Sequence, residues 1–533
     1  MSYWGPPRDR AGATIYQSPH PDVTIPDLPL HRFVLDGGAA HLDKAALIDG
    51  PSGRALTHRQ LQAGTERVAA GLAERGFTKG EVLGLFLPNA PEFALAFHGT
   101  LAAGGVVTTV NSLATVEDAA YQLRNAAARF LVTVPAFLDR AASAAKLAGV
   151  EETFVVGEAT GATPFATLLK TTAPAPRVTY EPERDLAVLP YSSGTTGLPK
   201  GVMLTHRNLV ANLVQTAAVH HVAADERAMA VLPFFHIYGM QVVMNLGLAS
   251  GATLVTMPRF ELEPFLALLQ AHRITRACVV PPLVLALAKH PVVDRYDLSS
   301  LKTMFSGAAP LEPALETACT ERLKCRLVQG YGLTEASPVT HAVPDGPGRE
   351  RPGTIGPLVP NTECRIVDLA SGAEQGPDED GELWIRGPQV MQGYLGNPTA
   401  TAETLHDGWL RTGDIGHIDR DGYFTIVDRL KELIKYKGFQ VPPAELEGVL
   451  RSHPAVADAA VIPIPDAEAG EVPKAFVVLT GDVPPEALLA YVAERVAPYK
   501  KLHAVEVIEA IPKSPSGKIL RRVLRDRERA VRT

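Results

Sequence analysis

The stretch Tyr191-Ser-Ser-Gly-Thr-Thr-Gly-Leu-Pro-Lys-Gly201 crowds hydroxyls and glycines together and closes on a lysine. Before it, Asp185-Leu-Ala-Val-Leu-Pro190 reads as a buried strand running into a loop. After it, Val202-Met-Leu-Thr205 reads as a short strand, with Thr205 or Asn208 placed to cap a helix beginning Leu209-Val-Ala-Asn-Leu213. Glycines let backbone N–H groups approach a ligand closely, while hydroxyls and an ammonium add donors to the same surface. Such a loop suits a polyphosphate. It is not the common nucleotide P-loop, because Gly194 to Lys200 does not fit G-x-x-x-x-G-K-[ST], which disfavours a kinase or GTPase. A flexible linker shares this composition, but the flanking strands and Leu198-Pro199 argue for an ordered loop.

A chain of 533 residues is too long for one ordinary core and suggests two to four domains or subdomains. A formal net charge of −7 gives no electrostatic reason to expect nucleic acid. The basic run from Lys518 to Arg527 reads as a solvated helix face. The four cysteines form no C-x-x-C pair, so reduced thiols in a cytosol are expected, without a zinc site. Neither a signal pattern nor a peroxisomal ending is evident. Met229 to Val255 is long and apolar, yet Pro233, His236, Gln241 and Asn245 interrupt it. A buried helix beside a pocket is expected there, not a membrane span.

The first thirty residues, rich in proline and polar groups, are expected to wrap the surface, with regular structure starting near Ala45. Thr57 and Gln60 form a capping box for a helix that stops at Gly76. From there strands and helices alternate, which implies mostly parallel sheets covered by helices, an α/β fold. From Ile355 the texture changes to short strands and turns, a β-rich subdomain over about 355–427. A compact α+β module follows. The expected division is a large region 1–429 and a smaller mobile domain 430–533.

These pieces resemble the adenylate-forming superfamily of acyl-CoA synthetases, adenylation domains and beetle luciferases, and most closely its 4-coumarate:CoA ligases. The resemblance runs from about Ile25 to Arg525, with the motifs in the family's order. The opening stretch matches the phosphate loop, Gln329-Gly-Tyr-Gly-Leu-Thr-Glu335 the nucleotide motif, and Tyr394 with Arg411-Thr-Gly-Asp414 the ribose motif. Asp428-Arg-Leu-Lys-Glu-Leu-Ile-Lys-Tyr-Lys-Gly-Phe-Gln440 matches the hinge and thioester loop, and Lys513-Ser-Pro-Ser-Gly-Lys518 the C-terminal lysine loop.

The resemblance implies ATP, Mg²⁺ and coenzyme A, and a carboxylic acid that passes through an acyl-AMP. Attack of a carboxylate on a phosphate brings two anions together, so cations and donors must be aimed at the developing charge. It assigns Ser192, Ser193, Gly194, Thr195, Thr196, Gly197 and Lys200 to the phosphates, Thr334 to the α-phosphate, and Glu335 to the metal. Asp414 and Arg429 take the ribose, Gln329 and Gly330 line the adenylate site, and Lys518 serves the first step. For the second step a domain turns about Lys431. Lys437 and Gly438 would then meet coenzyme A, and Lys435 and Gln440 would take their catalytic places at the adenylate. Arg259 is a weaker candidate for a coenzyme A phosphate.

Around the acyl group the resemblance puts Ile237, Tyr238, Val242, Phe305, Ala308, Gly330, Pro338 and Val339, with His236 gating the carboxylate. Tyr238 could bind a para-hydroxyl. Ser337 stands where plant coumarate ligases usually carry glycine, and Val242 where they often carry a smaller residue, so a less substituted cinnamate is expected. Taken singly each residue has an ordinary reading: Glu335 in a turn, Lys518 in solvent, His236 in a core. The rivals are a medium- or long-chain fatty acyl-CoA synthetase, an adenylation enzyme loading a carrier protein, and a non-catalytic acyl-nucleotide binder. Monomer and homodimer both stay open.

Overall fold

Runs of four to six apolar residues bounded by turns become strands, and the amphipathic segments between them cover the resulting sheets. A computed structural model describes residues 14–192, 199–346, 348–437, 439–466, 468–514 and 517–532. The first of its large sheets has eight strands. In spatial order these are Val339–Ala342, Arg326–Gly332, Thr303–Ser306, Arg276–Val279, Arg227–Ala230, Thr253–Thr256, Ala45–Asp49 and Ala55–Thr57. The inner pairings are parallel and only the two edge strands run antiparallel. The second large sheet is centred on Val82–Phe86, Val106–Thr109 and Ala128–Thr133. Its far edge carries Leu186–Leu189, Lys200–Thr205 and the short Tyr191–Ser192.

The 355–427 stretch forms an antiparallel six-stranded sheet from Glu363–Val367, Gly381–Arg386, Trp409–Ile418, Leu405–His406, Phe424–Arg429 and, from the other end of the chain, Tyr16–Gln17. All three sheets share one apolar core. Residues 434–532 build a five-stranded sheet flanked by helices, with cores of their own around Leu446, Val461 and Leu488 and around Ile462, Phe476 and Leu524. The fold is therefore α/β with layered parallel sheets, a β-rich portion and a smaller α+β module.

Local signals explain where elements begin. Thr57 and Gln60 do form a reciprocal capping box at the helix His58–Glu74. Thr205 and Asn208 form another together, so the helix after the opening loop runs His206–Val219 and starts three residues earlier than Leu209. The apolar stretch near 240 divides into the strand Arg227–Ala230, a wide-turned π-helix Tyr238–Asn245 continuing as Leu246–Ala249, and the strand Thr253–Thr256. Among the described residues no helix is long and apolar enough to cross a membrane.

Regular structure does not wait for Ala45. Tyr16–Gln17 pairs with Glu363–Cys364, and a helix spans Leu30–Gly37. That helix is short and begins after Pro29 with no side-chain cap, so no start signal marks it. The helix Pro281–Lys289 is likewise concealed by its prolines, which sit in the first turn where a missing N–H costs nothing.

Candidate functional site

The opening loop leaves the edge strand at Tyr191–Ser192 and returns in Lys200–Thr205, with Ser192 opposite Lys200. Ser193, Gly194, Thr195, Thr196 and Gly197 lie outside the described residues. The two flanks converge on Tyr394. The Lys200 ammonium sits 4.4 Å from that ring's centre, a cation–π distance. The Tyr394 hydroxyl donates to Glu335 Oε1 at 2.9 Å, and burial with the nearby carboxylate raises the phenol's pKa so that it stays a donor. The Glu335 carbonyl accepts from Met391 N–H at 2.9 Å. Glu335 is thus aimed by two contacts from the segment that follows the nucleotide motif.

A pocket of about 460 Å³, counting the space at its mouth, opens beside this cluster. Ile237, Tyr238, Phe305, Ala308, Gly330, Pro338 and Val339 line it together, and so do His236, Thr334 and Lys518. Gly330 is required where it stands, because a Cβ there would lie 2.2 Å from the Phe305 ring. The Tyr238 hydroxyl donates to the Phe305 carbonyl at 2.8 Å. Its hydrogen is therefore committed, with the Cys278 thiol beside the same hydroxyl, so a lone pair is all it can offer a ligand.

The polar groups in this pocket are tuned by burial. His236 Nδ1 accepts the Tyr238 N–H at 3.3 Å, which leaves Nε2 to carry the proton. Burial, reinforced by the Lys518 charge, pushes the imidazole down to about 3, so it is neutral. The Lys518 ammonium is pulled down to about 8 by burial and by Arg429, against the opposing pull of Asp414 and Glu335.

Asp414 and Arg429 meet across an antiparallel register, with Arg429 Nε 3.1 Å from Asp414 Oδ1. Asp414 chiefly, against the effect of burial, raises the guanidinium's pKa further. Tyr331 donates to the other Asp414 oxygen. The turn before Asp414 is set by Glu382, a buried carboxylate that accepts from Gly413 N–H at 3.1 Å, from Trp384 Nε1 at 2.8 Å and from Arg411 Nη2 at 3.2 Å. Gly413 has φ +70° and passes its carbonyl to Leu430 N–H at 2.8 Å.

Other candidates fall elsewhere. Gln329 turns its side chain away from the pocket, accepting from Leu311 N–H at 3.1 Å and donating to Glu316 at 2.7 Å. Strand alternation accounts for this, since its neighbour Gly330 faces the cavity. Val242 is absent from the pocket wall; it sits half-buried in the π-helix and packs against the apolar core instead. Arg259 is an exposed residue between a strand and the helix Leu262–Ala271. Lys431, Lys435 and Lys437 are exposed and outside the pocket; Gly438 and the side chain of Gln440 lie outside the described residues. Tyr331 and Glu382 were not singled out by sequence. The first hides inside a quoted motif, and the second is one carboxylate in a strand that nothing marks as buried.

The AMP-binding enzyme family model matches residues 36–395, and the model of that family's C-terminal domain matches 445–518. The chain is 45% identical over 524 residues to 4-coumarate–CoA ligase 5 of Oryza sativa subsp. japonica, covering 96% of this chain and 97% of that enzyme. It is 42% identical over 524 residues to the 4-coumarate–CoA ligase of Pinus taeda, with 96% and 97% covered. Among solved structures, ATP-bound MatB from Rhodopseudomonas palustris superposes with a TM-score of 0.86 at 28% identity, covering 95% of this chain and 99% of that one.

Proposed function

This chain belongs to the AMP-binding enzyme family, and from that premise we propose that it is an ATP-dependent acid–thiol ligase acting on cinnamate-type acids such as 4-coumarate. The acid is joined to AMP with loss of pyrophosphate, then transferred to coenzyme A with loss of AMP. The observation that carries this reading is a lysine from the C-terminal module, Lys518, seated in an otherwise apolar pocket beside Thr334 and His236. An ammonium there has one evident use, which is to meet negative charge at the join between acyl carboxylate and phosphate.

Residue roles follow from position. Thr334 donates to the phosphate that is attacked, while the neutral His236 offers an Nε2–H to the substrate carboxylate and takes no proton. Asp414 accepts the ribose hydroxyls, steadied by Arg429 and Tyr331. Among the described residues no group of three His, Cys, Asp or Glu could hold a metal. Mg²⁺ commonly keeps one carboxylate and the substrate's own phosphates, so Glu335 fits a metal that arrives with ATP. The loop flanked by Ser192 and Lys200 holds the phosphates.

A braced aromatic wall supports a flat, cinnamate-type acid: Tyr238 is fastened to the Phe305 carbonyl, its ring meets Phe305 edge-on at 6.1 Å, and both line the pocket. We take the chain to divide near Arg429, with 430–533 as the mobile domain. Four buried, unpaired cysteines are in keeping with a reducing, cytoplasmic setting. The test is a panel of acids assayed with ATP for pyrophosphate release and with coenzyme A for thioester. Cinnamate and 4-coumarate should give both products. Turnover of aliphatic acids alone would overturn the substrate assignment.

A further inference from the structure

The helix Pro443–Arg451 follows Lys431, yet both its ends are held by carboxylates that precede Lys431. At its N-terminus, Asp428 Oδ2 accepts the Ala444 N–H at 2.9 Å. At its C-terminus, Arg451 Nε lies 2.5 Å from Glu312 Oε1. Arg451 is also tied by Nη1 to the Ala459 carbonyl at 3.5 Å, so it belongs firmly to the C-terminal module. No other ion pair among the described residues joins the two sides of Lys431. The side chains of Arg451 and Glu312 are only 26% and 29% exposed, so the pair is better shielded from water and salt than a surface pair.

Glu312 has a fixed base. Leu311 gives its N–H to Gln329 Oε1 and takes Gln329 Nε2 on its carbonyl, while Gln329 is anchored on buried Glu316. The segment leading to Leu311 carries Gly307 and Ala308, two residues of the pocket wall. At Gly448 in the same helix, an added Cβ would come 3.9 Å from Glu312 Oε1, so the helix approaches Glu312 closely. When this contact is made, Gly517 packs against Val280 and Pro282, and Lys518 is in the pocket.

We propose that the Glu312–Arg451 ion pair is a positioning latch that holds the C-terminal module in the arrangement serving acyl-adenylate formation. It must open before the segment carrying Lys435 and Lys437 can replace Lys518 at the site. This rests on the two-step ligase reading above. Neither residue touches substrate; both act by setting where Lys518 spends its time.

The experiment uses full-length Glu312→Gln and Arg451→Glu, and the charge swap Glu312→Arg with Arg451→Glu. Acid-dependent exchange between ATP and pyrophosphate reads the first half-reaction, and thioester formation from supplied acyl-adenylate reads the second. Each single variant should lose about 3- to 10-fold in exchange, with thioester formation unchanged or faster, and the swap should recover most of the exchange. Nitroxide labels at Glu321→Cys and Glu486→Cys report the orientation without activity: one narrow distance in the parent, a broadened distribution in the single variants. Equal loss in both half-reactions, no loss in either, an unrescued swap or an unchanged label distance would overturn the latch. A parent showing no exchange with any acid, while the singles still broaden the label distance, would retire the ligase reading and leave the latch standing.

Discussion

Lys518 is a titrating cation in the wrong place for a lysine to be comfortable, and that makes it measurable. Burial pulls it down to about 8, so the charge is present below that pH and is lost as the pH rises through it. The pH profile of kcat/KM reports groups on the free enzyme, so acyl-adenylate formation should fall away above about pH 8. Conversion of supplied acyl-adenylate should lack that limb. In Lys518→Arg the limb should vanish even if the rate is lower, because a guanidinium stays charged throughout the range. A limb that persists in Lys518→Arg belongs to another group. His236, held at about 3, contributes no limb between pH 5 and 9. Tyr238 makes a second residue-scale case. With its hydrogen given to the Phe305 carbonyl, it can only accept from the substrate. Tyr238→Phe should therefore lower kcat/KM for 4-coumarate about 5-fold more than for cinnamate, the size of one net hydrogen bond. Equal losses for the two acids would mean that the hydroxyl serves only to brace the wall.

The strand Trp409–Ile418 reaches Asp414 through a turn that Glu382 holds from the neighbouring strand. One carboxylate satisfies Gly413 N–H, Trp384 Nε1–H and the Arg411 guanidinium, so its removal leaves the half-buried Gly413 and Trp384 donors without their partner, while the exposed Arg411 turns to water. Glu382→Ala should destabilise the protein by about 1–3 kcal/mol and raise KM for ATP several-fold more than KM for the acid, because Asp414 loses its support. Thermal unfolding and the two KM values check this; equal KM changes would confine Glu382 to stability. The same element shows what sequence can and cannot tell. The Thr57 and Thr205 helix starts are legible because a capping box is local chemistry between residues three apart. So is the alternation behind the α/β fold, and so are those pocket-lining residues that the ordered motifs carry, Gly330 and Thr334 among them. Glu382, Tyr331 and the turned side chain of Gln329 are not legible, since each acts on a partner fixed only by tertiary folding. The helix Leu30–Gly37, uncapped and short, offers neither signal.

At the scale of the whole molecule, one module carries two lysine-bearing segments, and only one of them reaches the pocket. Lys518 accepts the Ser514 N–H on its carbonyl at 2.8 Å, and its side chain is inside. Lys435 lies in the strand Ile434–Tyr436, which pairs with Phe439–Val441, Lys437 follows that strand, and both are outside. The pair of strands is held where it sits. Lys435 N–H bonds Glu471 at 2.8 Å and Lys437 N–H bonds the Ala469 carbonyl at 2.9 Å, so bringing it to the pocket means moving the module as a body. The backbone on the near side is pinned through Leu430 N–H to Gly413, and Glu432 and Leu433 N–H both return to the Arg429 carbonyl, so a pivot at Lys431, as proposed above, has to open these last two bonds. A division of labour follows that two variants can separate. Lys518→Ala should lose about 10²-fold or more in acid-dependent pyrophosphate exchange and still convert supplied acyl-adenylate to thioester. Lys437→Glu should keep the exchange and lose the thioester step, because a carboxylate would stand where Lys437 is expected to meet coenzyme A, itself an anion. Lys431→Pro, which fixes φ at the pivot, should resemble Lys437→Glu, since the module already stands where the first step needs it. If Lys518→Ala and Lys437→Glu both lose the same half-reaction, the two segments do not take turns and the module does not rotate between steps.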